Sequence, residues 1–215
     1  MREAVRREAA EHESPIVKLK TPLRLITALT CFLLTAALLA GAQAAPEQGG
    51  HEMEIWAGGG PSVPGGTQNT SAFNAGLRYG WIITGLHLPS ILRGRFEYAV
   101  DAVPVFLVFQ PANTAYGAGF DPLGLKWNFQ RRGRISPFLE LCGGTLFSNK
   151  NVPTGTNTVN FTDQAAFGAH FLGPKYNVSL ELRYMHISNA GLATPNPGIN
   201  TVQVRLGVGR FWRAK

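Results

Sequence analysis

The sequence predicts an all-β protein: an eight-stranded antiparallel transmembrane β-barrel that follows a cleaved N-terminal signal peptide. Three observations predict this fold class. A short apolar run with a basic flank stands near the N-terminus. Beyond it, the chain divides into eight segments in which apolar and polar residues alternate. The breaks between these segments are rich in Gly, Pro, Asn and Ser, which favour turns.

The N-terminal segment has the pattern of a secretory signal peptide. Residues 25–40 (LITALTCFLLTAALLA) are largely apolar, basic residues precede them, and Ala42-Gln43-Ala44 has the small residues of a cleavage site. An apolar run of this length is short for a transmembrane helix, which needs about 20 residues. We therefore predict a signal peptide at 1–44 and an outer-membrane barrel domain at 45–215.

Period-two alternation places the strands, because successive side chains of a strand point to opposite faces. The predicted strands are 51–60, 71–87, 93–108, 114–130, 134–147, 159–171, 176–188 and 200–212. In the seventh, Val178, Leu180 and Leu182 share one face, and Ser179 and Glu181 share the other. The connections alternate between longer loops and shorter turns, and membrane barrels carry the longer loops outside the cell.

The polar faces of these segments carry charges of both signs. They are Arg78, Arg95, Lys126, Arg183, Arg205, Glu97, Asp101, Glu140 and Glu181. Small membrane barrels alternate apolar residues outside with polar residues inside, where opposite charges can pair. This face is therefore expected to form the interior of a barrel. A soluble periplasmic β-sandwich with one water-exposed sheet face would explain the same alternation.

Composition excludes some classes of partner. Six of the 20 basic and four of the 13 acidic residues lie before residue 45, so the rest carries 14 − 9 = +5. We find no nucleic-acid-binding module that would give this charge such a role, whereas a positive surface suits phosphate-rich lipopolysaccharide. Cys31 lies in the signal peptide, which leaves Cys142 without a disulfide or metal-binding partner. No metal or cofactor is predicted.

The end of the seventh strand carries the candidate chemistry. His186 and Ser188 are two residues apart, so they point to the same side, which is the apolar outer side by the parity of Val178 and Leu180. A hydroxyl beside an imidazole can act as a nucleophile with its general base. Asn189, or a backbone N–H nearby, could stabilise an oxyanion. The alternative is that Ser-Asn-Ala-Gly simply begins a loop.

The string H-I-S-N-A-G-L at 186–192, with N-P-G-I at 196–199, resembles the lipid A 3-O-deacylase family, outer-membrane acyl-ester hydrolases of Gram-negative bacteria. The resemblance is specific at the C-terminus and loose in the earlier strands. It implies an eight-stranded barrel whose active site lies on its exterior, in the outer leaflet. By this resemblance, Ser188 corresponds to the nucleophile, His186 to the base and Asn189 to the oxyanion helper.

The third member of the triad, an acid in the family, falls at Asn200. An Asn can orient an imidazole but supplies no negative charge, and this substitution costs about 10⁴ in rate in one triad. Asn200 is nevertheless the expected third member, because it shares the outer parity of the eighth strand. Glu181 has the charge but faces inward. Asp163 interrupts the apolar face of the sixth strand, as an interface residue or through a shifted register.

The leading hypothesis is an esterase of the Gram-negative outer membrane that removes an ester-linked acyl chain of lipid A. The fatty chains would lie against the apolar outer wall, and the phosphates against basic side chains at the rim. The alternative is a non-catalytic barrel that binds lipopolysaccharide or is structural, and Asn200 is its best argument. The sequence leaves the oligomeric state open.

Overall fold

The computed structural model describes residues 45–213, and the predicted signal peptide lies outside them. The strands are β1 Gly50–Pro61, β2 Ser71–Ile82, β3 Gly94–Phe109, β4 Thr114–Phe129, β5 Ile135–Ser148, β6 Val159–Leu172, β7 Asn177–Ser188 and β8 Ile199–Arg213. A short 3₁₀ helix, Ser90–Leu92, lies between β2 and β3. Within this part of the chain, no helix is long and apolar enough to cross a membrane.

The eight strands close into a barrel. Each strand pairs antiparallel with the next, and β1 closes the sheet by pairing with β8, where Ile55 lies opposite Val208. The predicted eight-stranded antiparallel barrel is confirmed. A closed sheet has no exposed edge and is not a sandwich.

Paired charges fill the interior. Of the nine charged residues predicted to face inward, all but the half-buried Arg95 are buried. Arg78 binds Asp101 (Nε to Oδ1, 2.8 Å) and Glu140, while Arg183 binds Glu181 (Nε to Oε1, 2.7 Å) and Glu140. Buried charges are tolerated when they are paired in this way, so the polar face of the strands lines the lumen.

Apolar side chains cover the outside of the barrel. The exposed ones on the last three strands are Phe161, Phe167, Phe171, Val178, Leu180, Leu182, Tyr184, Val204, Leu206 and Val208. Such an apolar band would be costly in water and suits the hydrocarbon core of a bilayer, which is the arrangement of transmembrane barrels.

The two ends of the barrel differ in their connections. We call the end that carries the loops 62–70, 110–113, 149–158 and 189–198 the upper end. The lower end carries the connections 83–93, 130–134 and 173–176. The predicted second strand was too long, because β2 ends at Ile82 instead of residue 87. The chain then turns through positive φ at Leu88 (65°) and Ser90 (55°), which a strand does not adopt.

Basic side chains gather at the lower end. Its connections contain Arg93, Arg131, Arg132, Arg134 and Lys175, whereas Lys150 is the one basic residue in the four upper loops. The basic side chains that could meet phosphates at a rim therefore lie almost entirely at the lower end, with Lys150 in the upper loops.

Candidate active site

The candidate residues lie where β7 ends and β8 begins, joined by the loop 189–198. His186 and Ser188 continue the outward parity of the exposed Tyr184, and Asn200 continues that of Val204 on β8. The register places His186 directly opposite Asn200. The hairpin thus brings these two residues, fourteen apart in sequence, side by side on the outer wall.

A hydrogen bond joins His186 to Asn200, with Nδ1 and Oδ1 2.6 Å apart. The Asn200 amide nitrogen Nδ2 donates to the Pro64 carbonyl at 3.4 Å. A carbonyl oxygen only accepts, so the NH₂ of Asn200 faces Pro64 and its oxygen faces the imidazole. His186 Nδ1 must then carry the hydrogen. In the neutral ring this leaves Nε2 with a free lone pair, the form that a general base requires.

The first upper loop supports Asn200 from behind. Val63 N–H donates to the backbone carbonyl of Asn200 at 2.8 Å, and Thr67 N–H donates to the backbone carbonyl of Gly198 at 2.9 Å. Gly65 has a φ of +106°, and a Cβ there would lie 2.7 Å from Asn200 Nδ2. The loop 62–70 therefore lies against the start of β8 and limits how far the Asn200 amide can turn.

Gly198 leaves room for the imidazole. Its φ is +64°, and a Cβ would lie 2.8 Å from His186 Cε1. A Cβ at this position would push the imidazole away from its place between β7 and β8. The position of the His186 ring therefore depends on a glycine at 198.

The substitution Gly198→Ala should therefore lower the esterase activity that the sequence predicts by about tenfold or more, because a displacement of about 1 Å can cost 10²-fold in rate. Gly191→Ala is the matched control, since Gly191 also has positive φ (+81°) but nothing lies within 4 Å of its Cβ position. Both variants carry the left-handed backbone strain of about 1–2 kcal/mol. Steady-state acyl release compares them, and equal losses would contradict a contact with the ring.

Ser188 ends β7 on the outer face, opposite Phe161 of β6, and is 8% exposed. Within residues 45–213, the His186 side chain has a hydrogen bond to Asn200, and no hydrogen bond joins Ser188 to His186. Same-face neighbours on a strand lie about 6.6–6.8 Å apart along its axis. The structure thus places the hydroxyl and the imidazole on one side as neighbours, without a direct hydrogen bond.

Asn189 is fully buried, and its side chain shapes the loop that follows. Asn189 Nδ2 donates to the Ala193 carbonyl at 3.2 Å, and Gly191 N–H donates to Asn189 Oδ1 at 2.9 Å. The Asn189 backbone N–H donates to Asn196 Oδ1 at 3.1 Å. The described hydrogen bonds of Asn189 run within the loop, and its oxyanion role stays a prediction.

Sequence reasoning left the place of Asp163 open and missed the contributions of Gly198 and the Pro64 carbonyl. Asp163 does lie on the outer face of β6, in the predicted register, where its Cα partner on β7 is His186. Counting back through the β6–β7 hairpin could have found this pairing. Nothing in the local sequence marks the contacts of Gly198 and of the Pro64 carbonyl, because they depend on how loops pack together.

A shallow apolar groove runs along the outer wall below these residues. It has a volume of about 510 Å³ and is lined by Phe167, Phe171, Leu180, Leu182 and Val204, among others. Leu182 precedes His186 by four residues on β7, which is about 13 Å along the strand. The groove could hold a hydrocarbon chain parallel to the strands.

The profile of the family described as lipid A 3-O-deacylase (PagL) matches residues 74–209, more than half of the chain. A solved structure, "Crystal structure of the outer membrane enzyme PagL", is similar at a TM-score of 0.54 and 22% identity, covering 72% of this chain and 97% of that one. Neisserial surface protein A (NspA) is similar at a TM-score of 0.47 and 15% identity, covering 80% and 99%. No curated protein matches the chain. By its family profile, the chain belongs to the lipid A 3-O-deacylase (PagL) family.

Proposed function

We propose that this protein is an esterase of the Gram-negative outer membrane that removes the 3-O-linked acyl chain of lipid A, with Ser188 as nucleophile and His186 as general base. The hydrogen bond between His186 Nδ1 and Asn200 Oδ1 carries the proposal. It leaves Nε2 unprotonated on the face that Ser188 shares. The family to which the chain belongs supplies the substrate class.

In the first half of the reaction, Ser188 Oγ attacks the ester carbonyl carbon while His186 Nε2 accepts the hydroxyl proton. The tetrahedral oxyanion is stabilised by N–H donors at the start of the loop 189–198, where we expect Asn189 to contribute. The imidazolium then gives its proton to the 3-oxygen of the sugar as the C–O bond breaks. Lipid A leaves with a free hydroxyl, and the acyl group stays on Ser188.

In the second half, His186 Nε2 takes a proton from water, and the water oxygen attacks the acyl-serine. The intermediate collapses to a free fatty acid, and the proton returns to Ser188 Oγ. No cofactor or metal enters this scheme. The hydroxyl and Nε2 must come within hydrogen-bonding distance, and catalytic hydrogen bonds are often long in the free enzyme and shorten with substrate bound.

The position of the site suits a substrate that stays in the membrane. Three of the four upper loops have nine or ten residues, whereas two of the three lower connections have four or five and 83–93 is the exception. Membrane barrels place their longer loops outside the cell, so Ser188 would lie in the outer leaflet where lipid A resides. The acyl chain would follow the groove along Leu182 and Leu180. We propose that the signal peptide at 1–44 directs the chain to this membrane.

Mass spectrometry of lipid A tests the proposal. Cells that express the native chain should accumulate lipid A that lacks one ester-linked acyl chain, relative to cells with an empty vector. The lost mass should equal one 3-O-linked acyl group, and the freed fatty acid should appear in stoichiometric amount. An unchanged acylation pattern, with the barrel folded in the outer membrane, would favour the non-catalytic lipopolysaccharide-binding role instead.

A further inference from the structure

Asp163 is the one acidic side chain on the outward face of the described strands. The other strand acids are buried in the lumen: Glu52, Glu54, Glu97, Asp101, Asp121, Glu140 and Glu181. Asp163 is exposed and stands between Phe161 and Ala165 on the outer face of β6. A charge on the apolar wall of a membrane barrel is destabilising, so its presence calls for a compensating role.

The register places Asp163 beside the proposed base. Its Cα partner is His186 on β7 and Gly143 on β5. Side chains that face each other across an antiparallel pair have Cβ atoms about 4.5–5.5 Å apart. Gly143 has no side chain, so the imidazole is the polar group that faces Asp163 across the sheet. His186 thus lies between Asp163 on one neighbouring strand and Asn200 on the other.

Asp163 has no hydrogen bond or ion pair among the described residues, whereas the lumenal Asp101 binds Arg78 and Arg205. Among the described residues, an imidazolium at position 186 would be the cation that faces it across the sheet. Attraction between opposite charges is stronger where water and its high dielectric constant are excluded, as beneath a bound lipid. The carboxylate would then stabilise the protonated state of His186 much more than its neutral state.

We propose that Asp163 is a positioning residue that supplies, from β6, the negative charge that Asn200 cannot supply from β8. This inference rests on the proposed function. Asn200 fixes the imidazole through Nδ1, and Asp163 stabilises the positive charge that appears when Nε2 takes the Ser188 proton. No proton passes to Asp163: the proton moves from Ser188 Oγ to Nε2 and on to the leaving oxygen. The two roles of a triad acid are divided between two residues.

A double-mutant cycle tests this division of roles. Fatty-acid release from purified lipid A in detergent is measured for the native chain, Asp163→Asn, Asn200→Glu and the double variant. Asp163→Asn should lower kcat by at least about tenfold with little change in KM, because the charge matters when the imidazolium forms. In the Asn200→Glu background, the same substitution should lower kcat by less than about threefold, because position 200 then carries the charge.

Two further variants separate charge from structure. Asp163→Glu keeps the charge and should retain most of the activity. Thr145→Val, opposite Phe161 on the same wall, removes a hydroxyl away from His186 and should leave kcat unchanged. Retained folding of each variant is checked by the heat-dependent shift in gel migration that folded barrels show.

The outcomes are distinct. Unchanged kcat in Asp163→Asn, or the same loss in both backgrounds, would overturn the role of Asp163 and leave the proposed esterase intact. An inactive native chain that gains activity with Asn200→Glu would also overturn it, because the charge at 163 would then not serve His186. Inactivity of the native chain and of Asn200→Glu alike would contradict the proposed function and this inference with it.

Discussion

Replacing Ser188 with alanine is expected to abolish acyl release while the barrel remains folded. The hydroxyl is the proposed nucleophile, and the other hydroxyl on the outer face of β7 is the phenol of Tyr184, which is a poorer nucleophile than a serine activated by a base. The remaining outward positions of β7 are Val178, Leu180 and Leu182. Loss of the nucleophile costs about 10⁶ in kcat in one well-studied serine hydrolase. Fatty-acid release from lipid A, followed in a single-turnover assay, measures the effect.

The structure offers a matched control for this variant. Ser71 begins β2 at the same end of the barrel and shares the outward parity of Phe73, but its cross-strand partners are Pro61 and Phe109. Ser71→Ala removes the same hydroxyl from an equivalent height on the wall and should keep native activity. Each substitution removes a single hydroxyl, and both variants should keep the barrel folded. Full deacylation by Ser188→Ala would exclude this serine as the nucleophile.

The alternation of apolar and polar residues predicted most of the fold, because successive side chains of a strand face the polar lumen and the apolar lipid in turn. β7 was predicted to within one residue for this reason. The end of β2 was missed because Ile83 and Leu86 continue an apolar pattern into a connection, where positive φ at Leu88 and Ser90 breaks the strand. The local pattern carries no signal for a turn at residues of this kind.

The candidate site was predictable only in part. Parity placed His186, Ser188 and Asn200 on the outer face, and the structure adds the hydrogen bond between two of them. Contacts that depend on loop packing, such as the Pro64 carbonyl behind Asn200, were not predictable from one sequence. The pairing of Asp163 with His186 depends on the β6–β7 register, which the turn at 173–176 sets. The proposal that Asn200 orients the imidazole and Asp163 supplies the negative charge can be made only once that register is known.

Substitutions at position 200 should separate the hydrogen bond from the charge. Asn200→Leu keeps a similar volume but removes the acceptor for His186 Nδ1, so the hydrogen is free to move to Nε2 and the ring to turn. A wrong tautomer costs about 10⁴ in kcat in one triad, and we expect a loss of about 10²–10⁴ here. Asn200→Asp keeps an oxygen acceptor at the same place and adds a charge, so it should be at least as active as the native chain.

Asn200→Leu and Asn200→Asp both lose the same hydrogen bond to the loop 62–70, so a difference in their activity does not come from that loss. Each loses the hydrogen bond from Asn200 Nδ2 to the Pro64 carbonyl, and at 3.4 Å that bond is long. Damage to the packing of the loop 62–70 would lower the activity of both variants, whereas loss of the acceptor lowers that of Asn200→Leu alone. Measured kcat values for the pair, at equal folded fractions, decide between these causes. Equal activity of Asn200→Leu and the native chain would show that His186 needs no partner at Nδ1, and the tautomer argument on which the base assignment depends would fail.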